Sequence, residues 1–205
     1  ADVAGFRLEV AAAVGSGSEA RAAAIRRPAH LQLLLVQRQP NKPRWISNLG
    51  DLDRALRGDS RVLKSGIKSR VQVMERLPIL KQLELVMEAN ILAGAHGAGL
   101  AWLVAMPEGS AVLEAMPAEL PNWVLCVDGW DHPRNVRDGI YGGLARITGQ
   151  HHICLIGNGS ASTYAIVNFR EHPIQLPLTG FVDRLVQAIN FVSSDKTKAA
   201  DKASY

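Results

Sequence analysis

Residues 90–116 read NILAGAHGAGLAWLVAMPEGSAVLEAM, and the fold turns on how this stretch divides. NILAGAH (90–96) has the composition of a short buried strand, and Gly94, Gly97 and Gly99 crowd the turn at its end. GLAWLVAM (99–106) predicts a helix and SAVLEAM (110–116) a further strand, giving strand, glycine turn, helix, strand. Glycines admit positive φ and let a ligand approach the backbone. A helix start offers free N–H groups to an anion. His96 therefore has two readings: an incidental polar residue in an ordinary turn, or a further donor beside a phosphate cradle. Neither G-x-G-x-x-G nor G-x-x-x-x-G-K-[ST] occurs in the chain, so the familiar nucleotide fingerprints do not decide between them.

Working outward, LQLLLVQ (31–37) is a compact apolar run suited to a strand covered on both faces. ISNLGDLDRALRG (46–58) predicts a helix: Asn48 as N-cap, Asp51 and Asp53 near its start, Leu49, Leu52 and Leu56 as its stripe, Gly58 as its stop. RVQVMERL (70–77) alternates as a strand, and PILKQLELVMEA (78–89) opens a helix at Pro78. WVLCVD (123–128) reads as an edge or inserted strand. RNVRDGIYGGLARITG (134–149) reads as a glycine-weakened helix and HHICLIG (151–157) as a strand. LTGFVDRLVQAINFV (178–192) is an amphipathic helix. Alternating strands and helices predict an α/β fold: a doubly wound, mostly parallel sheet with helices on both faces. The domain spans 30–192, between an extended arm at 1–29 and a polar tail at 193–205, both expected to be flexible and to meet other protein chains.

The 205 residues, 47% hydrophobic and 20% charged, suit one globular domain. A net charge of +4 and a pI near 9.3 fit anionic ligands and leave nucleic acid among the partner classes, although 5% aromatics give no stacking platform for single strands. No run reaches the ~20 apolar residues of a membrane span. The chain starts at Ala1 without a signal-peptide pattern, so a processed or trimmed start is expected. Cys126 and Cys154 form no C-x-x-C and read as buried free thiols. His151 and His152 open a strand and face opposite sides, so they do not share a metal ion, and none is expected. WDHPRN (130–135) reads as a solvated loop, and Ser110 lacks the G-x-S-x-G elbow.

The order of these segments resembles glycosyltransferase family 61 from about residue 31 to 157. In that family an apolar strand leads into a His-Gly-Ala-Gly-Leu turn, a helix, a Pro-Gly-Ser/Ala turn and a strand ending in Glu. LLLVQR followed by RWISNLGDLDRAL is similar to its strand-Arg and Arg-x-Ile-x-Asn elements, and RNVRDGIYGGLARITG to its Asn-Leu-Ala-Arg helix. The resemblance implies a GT-B architecture of two Rossmann-like domains, of which this chain is the C-terminal, nucleotide-sugar-binding one. It also implies roles. Arg38 would face the donor diphosphate, with Asn48 near the same pocket. His96, Gly97 and Gly99 would form the diphosphate turn, and Glu114 would accept from ribose hydroxyls. The ligand expected is a UDP-sugar, with no further cofactor, and the reaction an inverting transfer.

Three differences support an alternative. Lys81-Gln82 stands where the family often has Glu-Gln, Ala101-Trp102 follows the turn in place of a hydroxyl residue, and the acceptor-binding half is not in this sequence. The alternative is a catalytically inactive relative serving as a structural subunit of a larger protein or ribonucleoprotein assembly. A family-typical enzyme would work in the Golgi or ER lumen, the structural subunit in an organellar complex.

Overall fold

The computed structural model describes residues 30–40, 42–117, 140–158 and 173–203, with side chains of the last stretch through Ser194, besides the single positions Gly5 and Glu9. Its five strands are β1 (Gln32–Gln37), β2 (Lys68–Val73), β3 (Ile91–Ala95), β4 (Ala111–Met116) and β5 (His151–Ile156). They form one sheet in the order β2-β1-β3-β4-β5, every neighbouring pair parallel. β1, β3 and β4 are buried almost throughout, as apolar runs inside a parallel sheet should be, while β2 is an exposed edge. The sequence expectation of a doubly wound, Rossmann-like sheet holds.

Side-chain alternation divides the core into two layers. On one face Leu33, Leu35, Ile91, Ala93 and Leu113 meet α1 (Leu49–Gly58), α2 (Ser60–Ser65) and the long α5 (Leu178–Ala203). On the other, Leu34, Val36, Leu92 and Val112 meet α3 (Ile79–Glu88), α4 (Ile140–Thr148) and a 3₁₀ helix at Ala98–Ala105. Crossovers between parallel strands keep one hand. The chain winds one way from β1 to β2 and the other way from β2 to β3, so the connecting helices fall on opposite faces.

Several elements differ from expectation. The segment after the glycine turn is 3₁₀ rather than α-helical. Leu100, Leu103 and Met106 recur every third residue and are all fully buried, and residues three apart share a face only when the helix turns once per three residues. Met74–Arg76 is likewise a 3₁₀ turn, so β2 ends at Val73 and not at Leu77. α2 was invisible because it is one short turn with a single buried residue, Val62. Asp59 caps it, accepting from the Arg61 and Val62 amides, and Gly66 at φ 64° ends it. α5 does not stop at Val192 but continues to Ala203, through most of the stretch read as a polar tail. Cys154, expected as a free thiol, is disulfide-bonded; spatial approach makes such a bond, and spacing in sequence does not reveal it. Cys126, the edge strand at 123–128, the loop at 130–135 and nearly all of the arm at 1–29 lie outside the described residues.

One segment crosses the sheet's carboxyl end. Ile174 bridges Ile46, and Gln175 bridges Asn158. Gly157 lets it pass, for a Cβ there would lie 2.9 Å from the Ile174 side chain. Leu92, fully buried between β1 and β4, gives the plainest test of the core. Leu92→Ala should lower unfolding free energy by about 2–5 kcal/mol in urea titration, whereas Val71→Ala on the exposed edge should change it by less than about 0.5 kcal/mol.

Candidate functional site

In an open parallel sheet, ligands bind beyond the carboxyl ends of the strands where the winding direction reverses. Here that point lies between β1 and β3, and a cavity of about 500 Å³ opens there. Gly97, Ala98 and Gly99 form one wall, Arg38 and Arg44 contribute charge, and Glu75 stands at the mouth of β2. A more apolar wall, Met74, Trp102 and Val104 with the Gln82 amide, completes it.

Each part is held by local chemistry. The Gln37 side chain acts as a short strand: Nε2 donates to the Ile46 carbonyl at 2.8 Å, while Oε1 accepts from the Ile46 amide at 2.9 Å and the Arg38 amide at 3.0 Å. That fold-back fixes the start of Arg38 and brings residues 44–46 to the strand end. Arg44 adopts φ 61°, a left-handed conformation costing a non-glycine residue about 1 kcal/mol or more. Its Nη1 donates to the His96 carbonyl at 2.9 Å. Gly97, at φ 152°, lies under the guanidinium, and a Cβ there would come within 3.2 Å of Nη1. Leu100 donates back to the Gly97 carbonyl at 2.9 Å, closing the first 3₁₀ turn. The amides of Gly97, Ala98 and Gly99 find no acceptor among the described residues. Three backbone donors and two guanidiniums thus border one space, an arrangement suited to an anion of several oxygens.

The His96 side chain turns to the neighbouring strands. Its Nδ1 lies 2.5 Å from Glu114 Oε1 on β4, and His152 Nε2 on β5 lies 2.7 Å from Oε2. Glu114 is 3% exposed. An ionised carboxylate only accepts, so each of these ring nitrogens donates. Burial pushes the Glu114 carboxyl up, but the hydrogen bonds from His152 and His96, with their charge, outweigh burial and hold it below the ordinary range. The His96 ring also meets the Tyr141 ring edge-on at 5.5 Å. The Tyr141 hydroxyl is pushed up, by burial first and then by the Glu114 charge.

Of the residues singled out in the sequence, the cavity gathers Arg38, Gly97 and Gly99. His96 reaches it through its carbonyl, by way of Arg44, and a second donation from its ring would require the imidazolium form. Glu114 does not line the cavity. Asn48 makes no side-chain cap to α1; its Nδ2 donates to the Leu176 carbonyl at 2.8 Å and its Oδ1 accepts from the Leu176 amide at 3.0 Å. His151 and His152 do face opposite ways: His151 stacks on Phe191 of α5 at 4.3 Å. Arg44, Glu75 and Trp102 received no role in the sequence. The signal for Arg44 was present as the first residue of RWISN, whereas Glu75 was hidden by the reading of 70–77 as one strand.

Two substitutions separate structural partners from ligand contacts. Asn48→Ala should cost about 1–3 kcal/mol of stability by stranding the Leu176 backbone groups, with anion affinity unchanged in calorimetry. Glu114→Gln should also destabilise at neutral pH. A carboxyl held below its ordinary 4.5 adds stability above that value and loses it as pH falls through the lower folded value. The gap between wild type and Glu114→Gln in acid-range denaturation should therefore narrow below about pH 4.5.

No curated protein matches this chain. Residues 13–113, close to half of the sequence, match the family model Glycosyltransferase 61. The matched stretch includes Arg38, Arg44 and the turn from His96 to Gly99, and it ends within β4. With the parallel sheet and the cavity at its switch point, this match makes the chain similar to glycosyltransferase family 61 over residues 13–113.

Proposed function

We propose that this domain binds the donor of an inverting, GT-B-type glycosyltransferase, with the diphosphate of a UDP-sugar in the cavity between β1 and β3. The observation that carries this reading is that Arg38, Arg44 and the Gly97–Gly99 turn line one cavity, with the Arg44 guanidinium lying over Gly97. Anionic oxygens are the ligand atoms that such donors suit. When the bond from the anomeric carbon to the diphosphate breaks, negative charge grows on the leaving oxygen. Guanidinium and amide donors already aimed at that position lower the barrier without reorganising. The proposal gives this task to the arginines and calls for no metal ion or cofactor beyond the donor. The acceptor hydroxyl attacks from the opposite face and inverts the anomeric centre. Its proton passes to a base that the GT-B plan places on the acceptor-binding half.

The disulfide at Cys154 supports an oxidising compartment, and so the secretory lumen over a reducing organelle interior. One observation favours the alternative of a non-catalytic subunit: Ala101 presents only a methyl group to the cavity. The two readings part on turnover, which a structural subunit does not show. In calorimetry UDP, UDP-GlcNAc and UDP-xylose should bind the wild-type protein. Arg44→Ala should weaken UDP by about 10-fold or more, the worth of a charge-assisted hydrogen bond. A folded wild-type protein that ignores millimolar UDP and UDP-sugars would overturn the donor-site reading.

A further inference from the structure

We infer that Glu75 is the carboxylate that reads the ribose of the bound nucleotide and makes the site prefer a ribonucleotide to its deoxy counterpart. The inference rests on the donor-site reading above and adds the direction in which the nucleotide lies. Among the described residues, Glu75 is the acidic side chain lining the cavity. It stands in the 3₁₀ turn just after β2, at the carboxyl end of the strand beside β1. Adjacent strands lie about 4.8 Å apart, so β2 is two spacings, about 10 Å, from the glycine turn after β3. A diphosphate over that turn covers the first spacing and leaves its ribose over the ends of β1 and β2.

The chemistry of the side chain fits that position. Glu75 meets Arg38 at 3.6 Å, the two side chains 46% and 35% exposed. A long, half-exposed ion pair adds little to stability, so folding does not account for an acid here. A carboxylate repels phosphate but accepts from hydroxyls, and its two oxygens match a vicinal diol. Opposite charges at the two ends of the cavity then orient the ligand: phosphates toward Arg44 and Gly97, hydroxyls toward Glu75, Arg38 between them. Glu114, which the sequence suggested for the ribose, has both oxygens engaged by His96 and His152. The wall of Met74, Trp102 and Gln82 lies next to Glu75 in the same cavity and offers the base a flat apolar surface with one amide.

The test compares UDP, 2′-deoxy-UDP and inorganic pyrophosphate by calorimetry on wild type, Glu75→Ala and Glu75→Gln, each checked by thermal melting. Wild type should prefer UDP to 2′-deoxy-UDP by about 10-fold, and Glu75→Ala should bring the two within about 2-fold. Glu75→Gln, which keeps one acceptor oxygen, should retain part of the preference. Pyrophosphate should move the other way, binding Glu75→Ala about 3-fold more tightly or better because Arg38 loses its counter-ion. UDP binding with an unchanged ribose preference in Glu75→Ala overturns this inference and leaves the donor site standing. Failure of wild type to bind either UDP or pyrophosphate overturns both.

Discussion

The structure depends on the reversal of winding between β1 and β3. Parallel strands need crossovers of one hand, so a chain that first steps one way along the sheet and then the other must place its helices on opposite faces. The helices on either side of the reversal cannot close over the same strand ends, and the gap between them is the cavity. Its position therefore follows from topology, before any side chain is considered. Side chains then decide what the gap holds. Gln37 draws Ile46 to the end of β1, Arg44 follows, and the glycine turn after β3 supplies the opposite wall.

His96 joins two environments that would otherwise be independent. Its carbonyl anchors Arg44 at the cavity, and its ring anchors Glu114 in the layer beneath. A lone carboxylate at that depth would cost several kcal/mol, which two imidazole donors offset. The turn is thereby fixed from below as well as by its own 3₁₀ bonds. Such anchoring holds the backbone donors of the turn in place without rearrangement. A mobile glycine loop would do so less well.

How much was legible in the sequence varied with the kind of information involved. Apolar runs such as LLLV and AVLEAM declared their strands, because a parallel sheet buries both faces and tolerates little else. Leu49, Leu52 and Leu56 declared α1 by helical spacing. The threefold spacing of Leu100, Leu103 and Met106 was equally present but was read as α-helix, since short 3₁₀ segments are rarer. The site was harder to read. The glycines follow from their place at a strand end, which sequence order fixes, whereas Arg38 follows from the resemblance to family 61. The partners of Asn48, Glu114 and Cys154 depend on approaches in space, and Leu176 is 128 residues from Asn48. No local pattern encodes a contact of that span.

That same contact sets an order of assembly. The segment at Ile174–Leu176 supplies backbone partners to Trp45, Ser47 and Asn48, which follow Arg44 toward α1. During synthesis β1 through β4 emerge, with their apolar pairing surfaces, well before residue 174. The loop carrying Arg44 must wait for the end of the domain before its geometry is complete. Closing so long a loop is entropically slow relative to pairing neighbouring strands. The sheet can form first and the cavity last, so a nascent chain would have the parallel sheet without yet having the completed loop that carries Arg44.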